Sequence, residues 1–197
     1  MAMPPDNVTV VAAMSLEVRA VRRHAPGATV IESGIGLARL AGSLAGLAIS
    51  CGLAGGLRDD LPTGTIIIPS AVATTEGTAI ECDPVWTARL RAGAQSLGYA
   101  FIDAALLTSF ALVVGDERAV WASRGFAAVD METGRIRADG IAAVRVVLDT
   151  PQRELSRDWV NPARALLRPK NWGQMLWLAR EGPRCADLAA RVIAAAL

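Results

Sequence analysis

Three short strings, far apart in the chain, carry acids where chemistry can be done: Ala13-Met14-Ser15-Leu16-Glu17-Val18, Ala128-Val129-Asp130-Met131-Glu132-Thr133 and Val144-Arg145-Val146-Val147-Leu148-Asp149. Each sets a carboxylate at the end of an apolar strand or in the first turn of a helix. An open α/β sheet builds its active site in the crevice beyond the carboxyl ends of its strands. Three acids delivered there suit an enzyme that stabilises a positively charged transition state. Two glycine turns, Ser33-Gly34-Ile35-Gly36 and Cys51-Gly52-Leu53-Ala54-Gly55-Gly56-Leu57, also follow strands, where bare backbone lets N–H groups approach a ligand. The second lacks the Lys-Ser/Thr ending of a nucleoside-triphosphate loop, so a kinase or ATPase reading fails. The first lacks the third glycine of a dinucleotide fingerprint, and no ribose-binding acid follows at the usual distance. A dinucleotide-dependent oxidoreductase therefore ranks last.

The elements that must position these residues follow from periodicity. Apolar, Val- and Ile-rich runs at 8–13, 29–32, 48–51, 65–73, 105–113, 127–131 and 142–148 read as strands. Segments of helical period lie at 15–23, 37–47, 84–97, 116–123 and 132–139. Continuous apolar strands alternating with helices predict a largely parallel sheet covered on both faces, a three-layer α/β/α sandwich. Residues 74–83 show no clear period. After Asp149 the Thr150-Pro151 break leads into a helical, Trp-bearing segment from about 162 to 197. The 197 residues fit a single domain, with 151–197 as its helical C-terminal segment.

Composition removes several function classes. Twenty basic and nineteen acidic residues leave a net charge of +1, which provides no global field for nucleic acid. Cys51, Cys82 and Cys185 are odd in number and lack paired metal-ligand spacing, which fits a reducing cytoplasm and predicts no metal site. The first apolar run has no basic flank and meets Glu17 and Arg19 early, so it reads as a buried strand rather than a signal peptide. No apolar stretch reaches the ~20 residues needed to cross a bilayer. Lone His24 is expected on the exposed end of the first helix, away from any chemistry.

In this order, the two glycine turns and the three acidic strings resemble the nucleoside phosphorylase and nucleosidase superfamily, especially its methylthioadenosine/S-adenosylhomocysteine nucleosidases. The resemblance covers roughly residues 8–150. It implies a nucleoside phosphorylase-like fold and cleavage of an N-glycosidic bond without metal or organic cofactor. Glu17 falls on the family's water-activating glutamate. Gly34, Gly36, Gly52, Leu53 and Gly55 fall on the turns around the ribosyl and nucleophile pocket. Met131 falls against the sugar, Glu132 on its hydroxyls with Asp130 beside it, and Asp149 on the aspartate that serves the purine. The chemistry agrees: a departing purine needs a proton near N7, the cationic ribosyl needs nearby carboxylates, and the attacking water needs a base.

Each acid also has a plainer reading. Glu17 fits a solvated first-turn residue favoured by the helix dipole, Asp149 a turn former before Thr-Pro, and Asp130 or Glu132 a helix cap. Phe110, on a strand reaching the same edge, is a candidate to stack on the base or a core residue. The family usually has Ser or Thr where this chain has Leu53, and its phosphorylases carry an Arg where this chain has Ser50. Losing both favours water over phosphate as nucleophile, with phosphate as a co-substrate the alternative if Arg19, Arg39 or Arg58 supplies the grip. The loss also keeps open a non-catalytic nucleoside-binding module.

Eight basic and four acidic residues give 151–197 a net +4. Trp159, Leu166, Leu167, Trp172, Met175, Leu176, Trp177 and Leu178 lie among Arg164, Arg168, Lys170 and Arg180. Such a segment packs on its own domain, forms a homodimer interface, or lies on an anionic membrane surface at the cytoplasmic face. Its Leu-Leu-Arg-Pro and Trp-x-x-Met-Leu-Trp-Leu-Ala-Arg strings resemble the hopanoid-associated phosphorylase branch. That resemblance implies a lipid-linked nucleoside, adenosylhopane, as the substrate, with methylthioadenosine or S-adenosylhomocysteine as the alternative.

Overall fold

The computed structural model describes residues 7–156, 158, 168 and 171–197. Among the described residues, ten strands and four α-helices follow in this order: β1 Val8–Ala12, α1 Ser15–His24, β2 Thr29–Glu32, β3 Leu44–Gly56, β4 Ile66–Ile67, β5 Ala71–Thr74, β6 Ala79–Glu81, α2 Pro84–Ser96, β7 Phe101–Ile102, β8 Ala105–Thr108, α3 Asp116–Ser123, β9 Phe126–Asp130, β10 Ala138–Asp149 and α4 Trp172–Ala196. One sheet holds all ten strands, in the order β6-β5-β8-β9-β3-β10-β4-β7, with β1 and β2 attached beside β3. The sheet is mixed, with six of its nine pairings parallel, as the expectation of a largely parallel sheet requires. β9 runs antiparallel to β3, β4 to β10 and β6 to β5, while β1, β2, β3 and β10 are mutually parallel.

β3 and β10 form the spine, and alternation sends their side chains to two faces. Leu47, Ile49 and Cys51 of β3 and Ala142, Val144, Val146 and Leu148 of β10 face the main core, where α1, α2 and α4 cover the sheet. The alternate β3 positions are small, Ala48, Ser50, Gly52 and Ala54, and opposite them β10 carries Ile141, Ala143, Arg145 and Val147. α3 packs against β9. The small β3 residues leave room for polar side chains such as Arg145 on this second face.

Two expected helices are absent, for local reasons. Residues 37–47 form no helix; a single 3-10 turn, Ile35–Leu37, is followed by a loop into β3, which begins at Leu44. Positive φ at Gly36, Leu37, Gly42 and Gly46 breaks the right-handed path that a helix requires. The apolar residues at 44–47 belong to an extended strand instead. Residues 132–139 likewise give only the turn Thr133–Arg135, because β10 starts at Ala138 and pairs there with Leu44.

The run at 65–73 splits into β4 and β5 around Pro69, and β8 stops at Thr108, leaving Phe110 in a loop. The segment without clear period is the β5–β6 hairpin, closed around Gly77. The helix expected from about 162 is present as α4, while 162–167, 169 and 170, with Arg157, Trp159 and Lys170, lie outside the described residues. His24 is half-buried at the end of α1, where its Nε2 meets Asp187 of α4 at 2.5 Å. The three cysteines are buried and free. Among the described residues, no helix is long and apolar enough to cross a membrane.

Helix α2 starts on Asp83, whose side chain accepts from the Trp86 N–H, and on Pro84 at the first turn. It crosses α4 closely. A Cβ on Gly93 would sit 3.0 Å from the Val192 carbonyl oxygen and 3.2 Å from backbone atoms of Ala195 and Ala196. Alanine is the better helix former by about 1 kcal/mol, yet Gly93→Ala is expected to destabilise the fold by about 1–3 kcal/mol through overpacking. The measurement is the urea midpoint, at unchanged m-value; a higher midpoint in the variant would disprove the tight crossing.

Candidate functional site

The first turn of α1 carries Glu17, 1% exposed. Its Oε2 accepts from the Met14 N–H at 2.8 Å, closing the helix start, and its Oε1 accepts from the Leu53 N–H at 3.0 Å. Glu17 is therefore a buried bridge between α1 and the second glycine turn, not a solvated surface acid. Bare backbone is required beside it: a Cβ on Gly52 would lie 2.8 Å from the Glu17 carboxyl carbon and 2.9 Å from Arg145 Nη1. Leu53 contributes its N–H to this face, while its side chain packs on the main core.

Arg145, 1% exposed on β10, binds the acids together. Its Nη2 lies 2.7 Å from Asp130 Oδ2 and 3.5 Å from Glu132 Oε2, and it donates to Ser50 Oγ at 2.6 Å and Thr133 Oγ1 at 2.9 Å. Nη1 donates to the Leu53 carbonyl at 3.4 Å. Sequence reasoning noted Arg145 only as an interruption in an apolar strand. The signal was there, since an arginine inside a strand buried on both faces must find carboxylates.

Asp130 is committed to structure. It accepts from Thr108 Oγ1 at 2.6 Å, from the Thr133 N–H at 3.1 Å and from the Thr133 hydroxyl, so it holds the turn that follows β9. Glu132 accepts from the Gly36 N–H at 2.9 Å, which ties the first glycine turn to the acid cluster, and Arg135 donates to the Gly36 carbonyl at 2.9 Å. Gly34, in left-handed backbone at φ +71°, starts that turn, and Met131 sits half-buried beside Glu132.

Asp149, 6% exposed at the end of β10, stands apart from this cluster. It faces Gly55, and one oxygen pairs with Arg118 of α3. Arg118 had no sequence signal: inside Asp116-Glu117-Arg118 it reads as part of a charged helix surface. Phe110, half-exposed in its loop, lies against the Arg135 guanidinium, 4.6 Å from ring centre to Cζ. Both line a cavity of about 490 Å³ with Leu37, Leu40, Ile80 and Ile136. Phe110 thus borders the Glu132 turn rather than Asp149.

Burial dominates the ionisation of the acids. It pushes Glu17 from 4.5 up to about 7, against the pull of Arg145 and the two backbone N–H groups. Glu132 is raised by burial, with Arg145 opposing and Asp130 adding to the rise. Asp149 is raised by burial against the pull of Arg118. A carboxylate near neutrality beside a buried turn is suited to accept a proton, and a raised acid at the other end to give one. Among the described residues, no group of three or more His, Cys, Asp or Glu side chains could hold a metal ion.

Comparison with solved structures identifies the fold. The 5′-methylthioadenosine/S-adenosylhomocysteine nucleosidase of Neisseria meningitidis superposes with a TM-score of 0.70 at 15% identity, over 96% of this chain and 97% of that one. The S-adenosylhomocysteine nucleosidase of Streptococcus pyogenes gives 0.70 at 13%, over 100% and 98%. A futalosine hydrolase mutant of Helicobacter pylori gives 0.68 at 12%, over 96% and 97%. No protein-family model and no curated protein sequence matches. The chain therefore has the nucleoside phosphorylase/nucleosidase fold, a mixed sheet with helices on both sides and a C-terminal helix.

The raised Glu17 makes stability depend on pH. Between 4.5 and about 7 the folded chain holds a proton that the unfolded chain releases, so the stabilisation is complete below 4.5 and is lost as pH rises through about 7. The expected loss is on the order of 3 kcal/mol, and raised Glu132 and Asp149 act in the same direction. Glu17→Gln should flatten this slope. Denaturant titrations from about pH 5 to about pH 8 check it, and equal slopes in wild type and variant would contradict a buried, neutral Glu17.

Proposed function

We propose that the chain hydrolyses the N-glycosidic bond of a 5′-substituted purine nucleoside and releases the base. One observation carries the reading: a single stretch of β3 has Glu17 at Gly52–Leu53 and Asp149 at Gly55. A base and an acid thus meet the same end of β3, the two kinds of group that glycoside hydrolysis requires. In the proposed reaction, water adds to C1′ and gives a proton to ionised Glu17. The C1′–N9 bond breaks with its electron pair on the purine, and Asp149 delivers its proton to N7. Glu132 accepts from the sugar hydroxyls, and its charge favours the cationic ribosyl over the neutral ground state.

Several contacts support water over phosphate. The Leu53 N–H, which an anion would use, is given to Glu17, and the Arg145 Nη atoms are spent on Ser50, Thr133, Leu53 and the acids. Arg39 pairs with Glu32, and Arg58 donates to Asp60 at 2.9 Å. The apolar wall of the cavity beside Glu132 supports a substituent at the 5′ carbon. Adenosylhopane is the substrate of this kind that the C-terminal resemblance implies, with adenine as the released base. Exposed Trp172 and Leu176, one turn apart on α4 with Arg180 a turn further on, support peripheral contact with an anionic membrane.

Incubation with adenosine, 5′-methylthioadenosine and adenosylhopane, with and without phosphate, should release adenine in phosphate-free buffer. Glu17→Gln and Asp149→Asn should each lower kcat by about 10²–10⁴ while retaining the wild-type circular dichroism spectrum. Absence of base release from every nucleoside would sink the enzymatic reading, and strict phosphate dependence would overturn the hydrolytic one. For the membrane contact, flotation with anionic liposomes at low salt should carry the protein upward. Protein that stays at the bottom of the gradient counts against it.

A further inference from the structure

The carboxyl group of Asp149 is not symmetrical in its surroundings. Its Oδ2 pairs with Arg118 Nη2, and the Leu155 N–H also donates to the group. Arg118 cannot readily swing away. It is 3% exposed, its Nη1 donates to the Gly56 carbonyl at 2.6 Å, and its Nε lies 3.0 Å from Glu154 Oε1, an ion-pair distance without hydrogen-bond geometry. Glu154 is itself fixed, because its Oε1 accepts from the Gly115 N–H at 2.6 Å, just before α3. The other oxygen, Oδ1, stands 3.2 Å from where a Cβ on Gly55 would be. Oδ1 therefore lies against the bare backbone of β3 at Gly55.

This asymmetry has a consequence for the base. Along one edge, adenine presents N7 as acceptor and the 6-amino group as donor, whereas 6-oxopurines present N7 and O6, both acceptors. A carboxylic acid with two free oxygens grips adenine twice, its O–H on N7 and its carbonyl oxygen on the amino group. It thereby rejects a 6-oxopurine, whose O6 would face an acceptor. With Oδ2 held by Arg118, and with the Leu155 and Asp149 N–H groups also donating to the carboxyl, at most one oxygen remains for the base, and N7 is common to both kinds of purine.

Building on the N-glycosidic reading, we propose that Arg118 makes the base site indifferent to the 6-substituent, so that 6-amino and 6-oxo purine nucleosides are both substrates. Arg118 acts through Asp149 and is a positioning residue. The proton still passes from Oδ1 to N7 as the C1′–N9 bond breaks, and only the second contact is lost.

The test compares kcat/KM for 5′-methylthioadenosine and 5′-methylthioinosine. Wild-type values within about tenfold of each other are expected, and a preference above about a hundredfold for the 6-amino substrate, the scale of a two-point base contact, overturns the proposal. Arg118→Met frees Oδ2 and should shift the ratio by about tenfold or more towards the 6-amino substrate. Arg118→Lys, which keeps a cation on Oδ2, should return it towards wild type. A purely structural Arg118 would change both substrates alike and leave the ratio fixed.

Calorimetric titration of the wild-type chain with adenine and hypoxanthine reads the same property without turnover or a folded variant. Kd values within about tenfold support the proposal, while a hundredfold preference for adenine or binding of neither base ends it. Binding of both bases without cleavage of either nucleoside would instead count against the hydrolytic reading alone.

Discussion

One buried guanidinium organises the second face of the sheet. Arg145 is enclosed with Asp130 and Glu132 as ion-pair partners and with Glu17 close enough to act on its charge. A cation taken out of water costs several kcal/mol unless its donors are met, and removal of one partner leaves the rest uncompensated. The neighbouring sequence follows from that. Ser50 and Thr133 supply hydroxyl acceptors, Gly52 leaves the space that the side chains fill, and Thr108 holds Asp130 from behind. Three acids around one guanidinium also cannot all stay ionised at low cost. The excess negative charge is relieved by a proton on Glu17 or, in the proposed reaction, by the cationic sugar.

The elements that the periodicity located well are those whose local pattern agrees with the final packing. β2 and α3 fall at the expected residues, and α1, α2 and β1 differ at their ends by a residue, because period, caps and burial coincide there. The stretches at 37–47 and 132–139 failed together, and for one reason. The start of β3 pairs with the start of β10, so the apolar residues on both sides were recruited into extended backbone. Positive-φ glycines made the loop possible, but their number near 34–46 is visible in the sequence only as composition. Shorter connections there bring Gly36 against Glu132 and leave the cavity at their side.

The acids themselves were legible because strand ends and glycine turns are local features. Their partners were not, because an ion pair between distant segments leaves no periodic trace. Arg145 could have been inferred from the cost of a buried charge in an apolar strand. Arg118 could not, since nothing in Asp116-Glu117-Arg118 distinguishes a residue that turns inward from its solvated neighbours. Leu53 gives the opposite lesson. Read by side chain it is a lost hydroxyl, but it meets Glu17 through its backbone N–H, which any residue at that position supplies.

β10 presents two arginine–carboxylate arrangements, which separate the roles of the acids. Around Arg145 the acids outnumber the cation, and Glu17 is displaced towards neutrality, where it can exchange a proton with water. Around Arg118 two carboxylates meet one guanidinium, Asp149 at Nη2 and Glu154 at Nε. Burial rather than repulsion between acids raises Asp149. Burial favours the protonated form of Asp149, the form that a proton donor needs. A proton acceptor raised partly by neighbouring acids becomes more basic as those acids ionise. In the proposed reaction these two arrangements divide the work, with the proton entering the chain at Glu17 and leaving it at Asp149.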